Sequence, residues 1–228
     1  MRLSIVIPTL DEAAGIVDQL NALQPLRREG HEVIVVDGGS TDATAELARP
    51  LADLVLATSR GRSLQMNAGA AQARGEVLLF LHADTRLPKG GLAEIAAALS
   101  TADCAWGRFD VTIEGRHPML RVVASLMNLR SRLTGIATGD QAVFVTRSAF
   151  ERAGGFPPIA LMEDIALSVA LKRISTPACL RERVTTSGRR WEKHGVGRTI
   201  LRMWRLRLAY FFGVEPARLA RTYAPHES

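Results

Sequence analysis

The first hundred residues alternate between two periodicities. Leu3–Ile7 is an unbroken apolar run that Pro8 is expected to end, the pattern of a parallel strand buried on both faces. Ile16 to Leu26 carries Ile16, Leu20 and Leu23 at helical spacing. Val33–Val36 is a second apolar strand stopped by Asp37-Gly38-Gly39, after which Ser40 and Thr41 are placed to cap a helix from about Asp42 to Arg49. Asp53–Ala57 reads as a third strand, Arg62–Arg74 as a small-residue helix ended at Gly75, Val77–Leu81 as a fourth strand and Gly91–Leu99 as another helix. This strand–helix alternation predicts an α/β fold with an open, mostly parallel sheet and helices on both faces.

Beyond residue 100 the pattern loosens. Cys104–Ile113 fits a strand, Leu120–Leu133 a helix and Ala142–Thr146 a strand. Gly154-Gly155-Phe156-Pro157-Pro158 has the residues of a loop, and Met162 to Arg173 reads as a helix with an acidic start. From Val196 to Phe212 a helix places Ile200, Leu201, Trp204, Leu208 and Phe211 on one stripe and Arg198, Arg202 and Arg205 opposite. Such a stripe serves either packing against the domain or contact with anionic lipid. No repeat or linker divides the chain, so one domain is expected. Its nucleotide-binding half would be 1–100, its acceptor half 101–192 and its basic helical tail 193–228.

With 228 residues, 47% of them hydrophobic and 23% charged, the chain has material for a real core. Cys104 and Cys179 form no metal or disulfide spacing and read as buried thiols. The first residues lack the basic start and cleavage site of a signal peptide, and no apolar run is long enough to span a bilayer. A cytoplasmic location follows as an expectation, with peripheral attachment to the membrane's inner face as an option. The formal net charge of +6 is concentrated between Arg181 and Arg207, a block that attracts phosphate groups or an acidic surface. Aromatic content of 5% and the lack of a nucleic-acid motif argue against nucleic acid as partner.

In an open α/β sheet, ligands bind beyond the carboxyl ends of the strands. Here those ends deliver Asp11 and Glu12, Asp37, Arg60, and His82 to Asp84. Neither GxGxxG nor a P-loop is present, so phosphates need another means of neutralisation, and a divalent cation on carboxylate oxygens is the obvious one.

Three segments carry a resemblance. Ser4-Ile-Val-Ile-Pro-Thr-Leu-Asp-Glu12, Val35-Val-Asp-Gly-Gly-Ser-Thr-Asp42 and Phe80-Leu-His-Ala-Asp-Thr85 resemble, in order and distance, the opening motifs and metal-binding DxD region of family 2, GT-A type glycosyltransferases. The likeness continues less sharply to about residue 192. Short stand-alone bacterial-type members fit the length best, and some of these are linked to arsenosugar biosynthesis. The resemblance implies a GT-A-like fold, a nucleotide-sugar donor and transfer to a small-molecule or lipid-linked hydroxyl acceptor.

It also implies roles. Pro8, Thr9 and Glu12 would shape the nucleotide pocket, and Asp37 would accept hydrogen bonds from the base. Arg60 and Asn67 would contact nucleotide and phosphate. Asp84 would hold Mg2+ or Mn2+, with His82 standing where the family has the first Asp of DxD. Met162-Glu163-Asp164 resembles the segment whose Asp is the catalytic base of inverting members, with Glu163 beside it. Asp140 of Gly139-Asp140-Gln141 would contact a sugar. Arg189-Arg190-Trp191 resembles a shortened QxxRW motif. In it Arg190 would pair with phosphate and Trp191 stack on a sugar, or Trp191 would be a core residue beside solvated arginines. His194 is a further candidate for the metal site.

Overall fold

A computed structural model describes residues 1–101 and 103–223, the side chains of Arg190, His194 and Tyr223 excepted. The roles expected of the Arg190 and His194 side chains thus lie outside the described residues.

In the first half, β1 (Leu3–Thr9), β2 (Glu32–Asp37), β3 (Leu54–Ala57) and β4 (Val77–Phe80) alternate with α1 (Ala13–Arg28), α2 (Thr44–Ala48) and α3 (Arg62–Gln72). Next come β5 (Thr85–Arg86), α4 (Gly91–Leu99), β6 (Trp106–Glu114), α5 (Met119–Thr134), a 3-10 turn at Gly139–Gln141, β7 (Val143–Thr146) and α6 (Arg147–Arg152). The chain continues through α7 (Glu163–Lys172), β8 (Ala178–Ser187), α8 (Arg189–His194), α9 (Val196–Phe211) and α10 (Pro216–Tyr223).

The strands form one open sheet in the order β3-β2-β1-β4-β7-β6-β8-β5. It is parallel through β3-β2-β1-β4 and between β6 and β8, whereas β7 runs antiparallel to both neighbours and β5 antiparallel to β8. The parallel half is the part whose apolar runs the sequence displays. The reversal comes at β7, which follows α5 and the 3-10 turn.

Pro8 does not end β1: the strand runs on to Thr9, with Pro8 opposite Val36. Val6 O accepts from Leu81 N on the β4 side and Thr9 O from Gly38 N on the β2 side. Alternation therefore points the nitrogen of Pro8 toward β4 beyond its last rung, where no N–H is needed. Ser40 and Thr41 do not cap α2 either. Its preceding residue is Ala43 with no side-chain cap, while Ser40 and Thr41 bond to Asp11 and Asp37 across the loops.

Each face of the sheet has its own core. Leu3, Ile5, Ile7, Val33 and Val35 pack with Ile16, Leu20 and Leu23 of α1 and with Leu120, Val123 and Met127 of α5. Val6, Ile34, Val36 and Phe80 pack with Met66 and Ala70 of α3, Phe150 of α6 and Leu167 of α7. Helix α3 lies close to the sheet because it carries Gly69, where a Cβ would stand 2.4 Å from Val6 Cγ1. A third, small cluster joins Met162 to Leu206 of α9 and Leu219 of α10, so the tail braces the segment leading into α7.

The stripe expected on α9 faces outward. Leu201, Trp204, Leu208 and Phe211 are exposed, Trp204 by 68% and Phe211 by 82%, and only Ile200 of that set leans on the core. Packing of α9 uses Val196 and Leu206 instead. Strand β8 was not legible because its solvent side carries Arg181 and Arg183, which merge with the basic block that follows.

Candidate functional site

The parallel strands β1, β2 and β4 end at one edge, and the loops leaving them are tied together by side chains. Asp37, at the end of β2, is buried and accepts from Gly39 N at 3.0 Å, Ser40 N at 2.9 Å and the Ser40 hydroxyl. Asp11 accepts from Thr41 N at 2.7 Å, while its own N–H donates to Ser40 Oγ at 2.9 Å. Glu12 N donates to Thr44 Oγ1 at 2.8 Å. Asp37, expected to accept from a nucleotide base, also organises its own loop through these three donors.

A second group of loops converges beyond β4. His82 Nδ1 lies 3.3 Å from Asp140 Oδ1, and a Cβ on Gly139 would meet His82 Nε2 at 2.4 Å, so imidazole and glycine turn are in close apposition. Asp164 Oδ2 accepts from Gly139 N at 2.9 Å and its Oδ1 from Ile165 N at 2.8 Å. His82, Gly139, Glu163 and Asp164 line one small cavity with Met66, Phe80, Val143 and Phe156. Three segments far apart in sequence, the HAD stretch, the GDQ turn and the ED pair, thus meet at one place.

Glu163 is 95% buried, with Arg62 Nη1 3.9 Å away. Burial raises its pKa above the ordinary 4.5, the neighbouring Asp164 raises it further, and Arg62 and His82 pull the other way. Backbone conformation is unusual at these same loops: among the described residues, the non-glycine ones with positive φ are Asp11 (53°), Ala142 (48°) and Met162 (69°). They lie after β1, after the 3-10 turn and immediately before Glu163, where surrounding hydrogen bonds and packing hold a costly backbone in place.

The two residues expected to form a metal pair face different neighbours. His82 is turned to Asp140 and Gly139, whereas the Asp84 carboxylate has long contacts to the hydroxyls of Thr85 (3.3 Å) and Thr186 (3.4 Å) on the β5–β8 side. Among the described residues no group of three or more His, Cys, Asp or Glu is assembled around a metal position. One weakly engaged carboxylate still suits a hard cation that takes its remaining oxygens from water and a diphosphate. Asp84 fits that demand, while His82 is turned toward Asp140.

Other expectations are redistributed. Both ends of the Asn67 amide bond to the Phe156 backbone, at 2.8 and 2.9 Å, so Asn67 pins the glycine-rich loop to α3. Trp191 is partly buried and packs against the first core cluster. Arg60 is exposed beside the β3–α3 loop. Pro8 and Thr9 are buried in β1, where Thr9 O accepts from Gln65 at 2.8 Å. Sequence reasoning missed Gln65, which spans Thr9 O and Val36 O, and Arg189, whose guanidinium reaches Glu12 Oε2 at 3.5 Å across the cleft edge.

An open sheet that is parallel up to β4 and reversed at β7, with carboxylates gathered past β1, β2 and β4, defines a GT-A glycosyltransferase fold. The model of glycosyl transferase family 2 matches residues 4–151, and the chain belongs to that family. Glycosyltransferase AglE of Haloferax volcanii is 35% identical over 169 residues, 68% of this chain and 55% of that protein. An undecaprenyl-phosphate 4-deoxy-4-formamido-L-arabinose transferase of Pseudomonas fluorescens is 30% identical over 155 residues, 60% of this chain and 44% of that one. The chain therefore spans about half the length of these relatives. Among solved structures, mannosyltransferase PcManGT of Pyrobaculum calidifontis, in complex with GDP-Man and Mn2+, matches with a TM-score of 0.66 at 25% identity, over 91% of this chain and 61% of that one. S. aureus TarS 1-349 in complex with UDP-GlcNAc has the same fold, with a TM-score of 0.66 at 22% identity over 83% of this chain and 59% of that chain.

Proposed function

We propose that the chain transfers a single sugar from a nucleotide-diphosphate donor, UDP-linked, to an acceptor hydroxyl, with inversion and with the help of a divalent cation. The observation carrying this reading is that Asp164 shares one cavity with His82 and the Gly139 turn, at the edge where β1, β2 and β4 end. Each Asp164 oxygen accepts one backbone N–H and keeps a further lone pair for an incoming proton. In the transfer, the acceptor oxygen bonds to the anomeric carbon while its proton passes to Asp164, and the bond to the diphosphate breaks with its electron pair. Mg2+ or Mn2+, held by Asp84 together with the donor's phosphates, would neutralise the charge gathering on the departing diphosphate. Arg60, exposed next to α3, would contact the nucleotide's phosphates, and Asp140, beside His82, a sugar hydroxyl.

Asp164→Asn is expected to abolish transfer while donor affinity is kept, and Asp84→Asn to abolish transfer together with the metal-dependent part of donor affinity. Full activity in both variants overturns the site. Calorimetric titration with UDP- and GDP-sugars, with Mn2+ or with EDTA, decides base and metal; donor binding without turnover on any acceptor would instead favour a non-catalytic nucleotide-sugar module.

A second reading, a lipid-linked acceptor met at a membrane surface, is supported by two exposed apolar stripes. Met119, Val122, Leu126, Leu129 and Leu133 line α5, and Leu201, Trp204, Leu208 and Phe211 line α9. The similarity to an undecaprenyl-phosphate sugar transferase points the same way. Among the described residues no helix is long and apolar enough to cross a membrane, so contact through these stripes would be interfacial.

A further inference from the structure

Met162, the residue before Glu163 and Asp164, joins the loop rich in glycine and proline to α7. Its backbone lies in the left-handed region, at φ 69° and ψ 21°. A residue with a Cβ visits that region at a cost and stays there only where its surroundings hold it. The Met162 side chain is buried, and the tail is what it packs on: Leu206 of α9 and Leu219 of α10, with Met203, Ala209 and Tyr210 alongside. The α9 members recur every three or four residues and so share one face of that helix. Among the described residues of α10, Leu219 is the buried one. A turn at Gly213, φ 81°, in which Val214 N donates to Ala209 O, leads from α9 into α10.

The body of α7 is anchored without the tail. Leu167 and Leu171 pack in the second core, and Ser168 Oγ accepts from Ala137 N at 3.1 Å. Only the first turn, with Glu163 and Asp164, stands between that anchored body and Met162. The direction in which this turn leaves the loop decides where the Asp164 carboxylate ends. There Oδ2 accepts from Gly139 N at 2.9 Å, across 25 residues of sequence, and Oδ1 accepts from Ile165 N at 2.8 Å. A Met162 relaxed out of the left-handed region would re-aim the first turn and the carboxylate with it.

We infer that Leu206 and Leu219 are positioning residues for Asp164. By burying Met162 they hold the left-handed turn that aims the start of α7 at Gly139. Two helices that do not line the cavity thus set the geometry of the group that takes the acceptor's proton. This rests on the reading of Asp164 as the base and adds what keeps that base in place. The residues assigned to nucleotide and cation follow β1, β2 and β4 instead. Loss of the tail contact should therefore spare donor binding and impair the transfer step.

The test uses the full chain and reads hydrogen exchange at the Gly139 and Ile165 amides, the two donors to the Asp164 carboxylate. Leu219→Ala and Leu206→Ala should each speed exchange at both by about tenfold, as local opening does, while Ile7 in β1 and Leu171 in α7 keep their rates. Leu219→Met should restore the parent rates. Two substitutions at Met162 separate anchor from backbone: Met162→Ala should exchange faster than Met162→Gly, because glycine accepts the left-handed turn with no side chain to hold it. On a UDP-sugar that the parent chain turns over, Leu219→Ala should lose about tenfold in kcat and keep its KM. Unchanged exchange at Gly139 and Ile165, an equal rise in β1 and along α7, or Leu219→Met as fast as Leu219→Ala each overturns the inference. So does Met162→Gly at least as fast as Met162→Ala, or a loss in KM with kcat kept. Failure of the parent chain to bind UDP with Mn2+ in calorimetry would sink the transferase reading and leave the exchange rates to decide the tail's hold on Asp164.

Discussion

Single side chains at this site do structural and chemical work in unequal shares. Glu163 is the clearest case, a carboxyl group buried against Asp164 with one arginine at 3.9 Å. Its raised pKa means that the folded state binds the proton more tightly than the unfolded state does. Its contribution is therefore intact below the ordinary 4.5 and is lost as pH rises toward the folded-state value. Glu163→Gln should consequently raise the melting temperature near neutral pH and make little difference in acid, a comparison that thermal melts over a pH series provide. Asn67 is expected to act through stability alone. Asn67→Ala leaves the N–H and C=O of Phe156 without their partners and should cost about 2–3 kcal/mol in denaturant unfolding.

Between elements, close approach matters more than propensity. Helix α3 is rich in small residues, and Gly69 is the point where it meets β1 and β2, with Val6 and Val36 side chains directly beneath. Gly69→Ala improves helix propensity but drives a methyl group into Val6, and the chain should lose about 1–3 kcal/mol in urea titrations. Helix α9 illustrates the reverse relation. Its buried contacts are few, and the face with the large apolar residues is turned to solvent. Replacing both Trp204 and Phe211 by Ser should leave the melting temperature within about 1 °C, as for exposed sites remote from the core, while reducing co-sedimentation with anionic vesicles severalfold.

Taken whole, the molecule joins a net positive charge of +6 to an apolar rim on α5 and α9. Association with phosphatidylglycerol vesicles should therefore have two separable parts. The electrostatic part should fall as salt rises from about 50 to about 500 mM, over which the screening length shortens severalfold. The residual binding at high salt should be the part removed by the Trp204 and Phe211 substitutions. Vesicle binding that ignores both salt and these side chains would detach the rim from any membrane role.

Much of this architecture is local and can be read from the chain. Apolar runs such as Leu3–Ile7 and Val33–Val36 are strands wherever they are buried on two faces, and β1 and β2 lie where those runs predict. The motifs that follow them announce the edge at which carboxylates gather, because parallel strands all end on one side. What depended on tertiary structure was pairing between distant segments. The sequence does not show that Gly139 and Asp140 pack against His82, that Phe156 bonds to both ends of the Asn67 amide, or that α10 and Met162 meet the face of α9 opposite its large apolar stripe. Periodicity specifies which residues share a side of an element. It carries no information on which other element arrives there, and that choice, made by packing across the whole chain, decides whether a polar group is spent on the fold or left for a ligand.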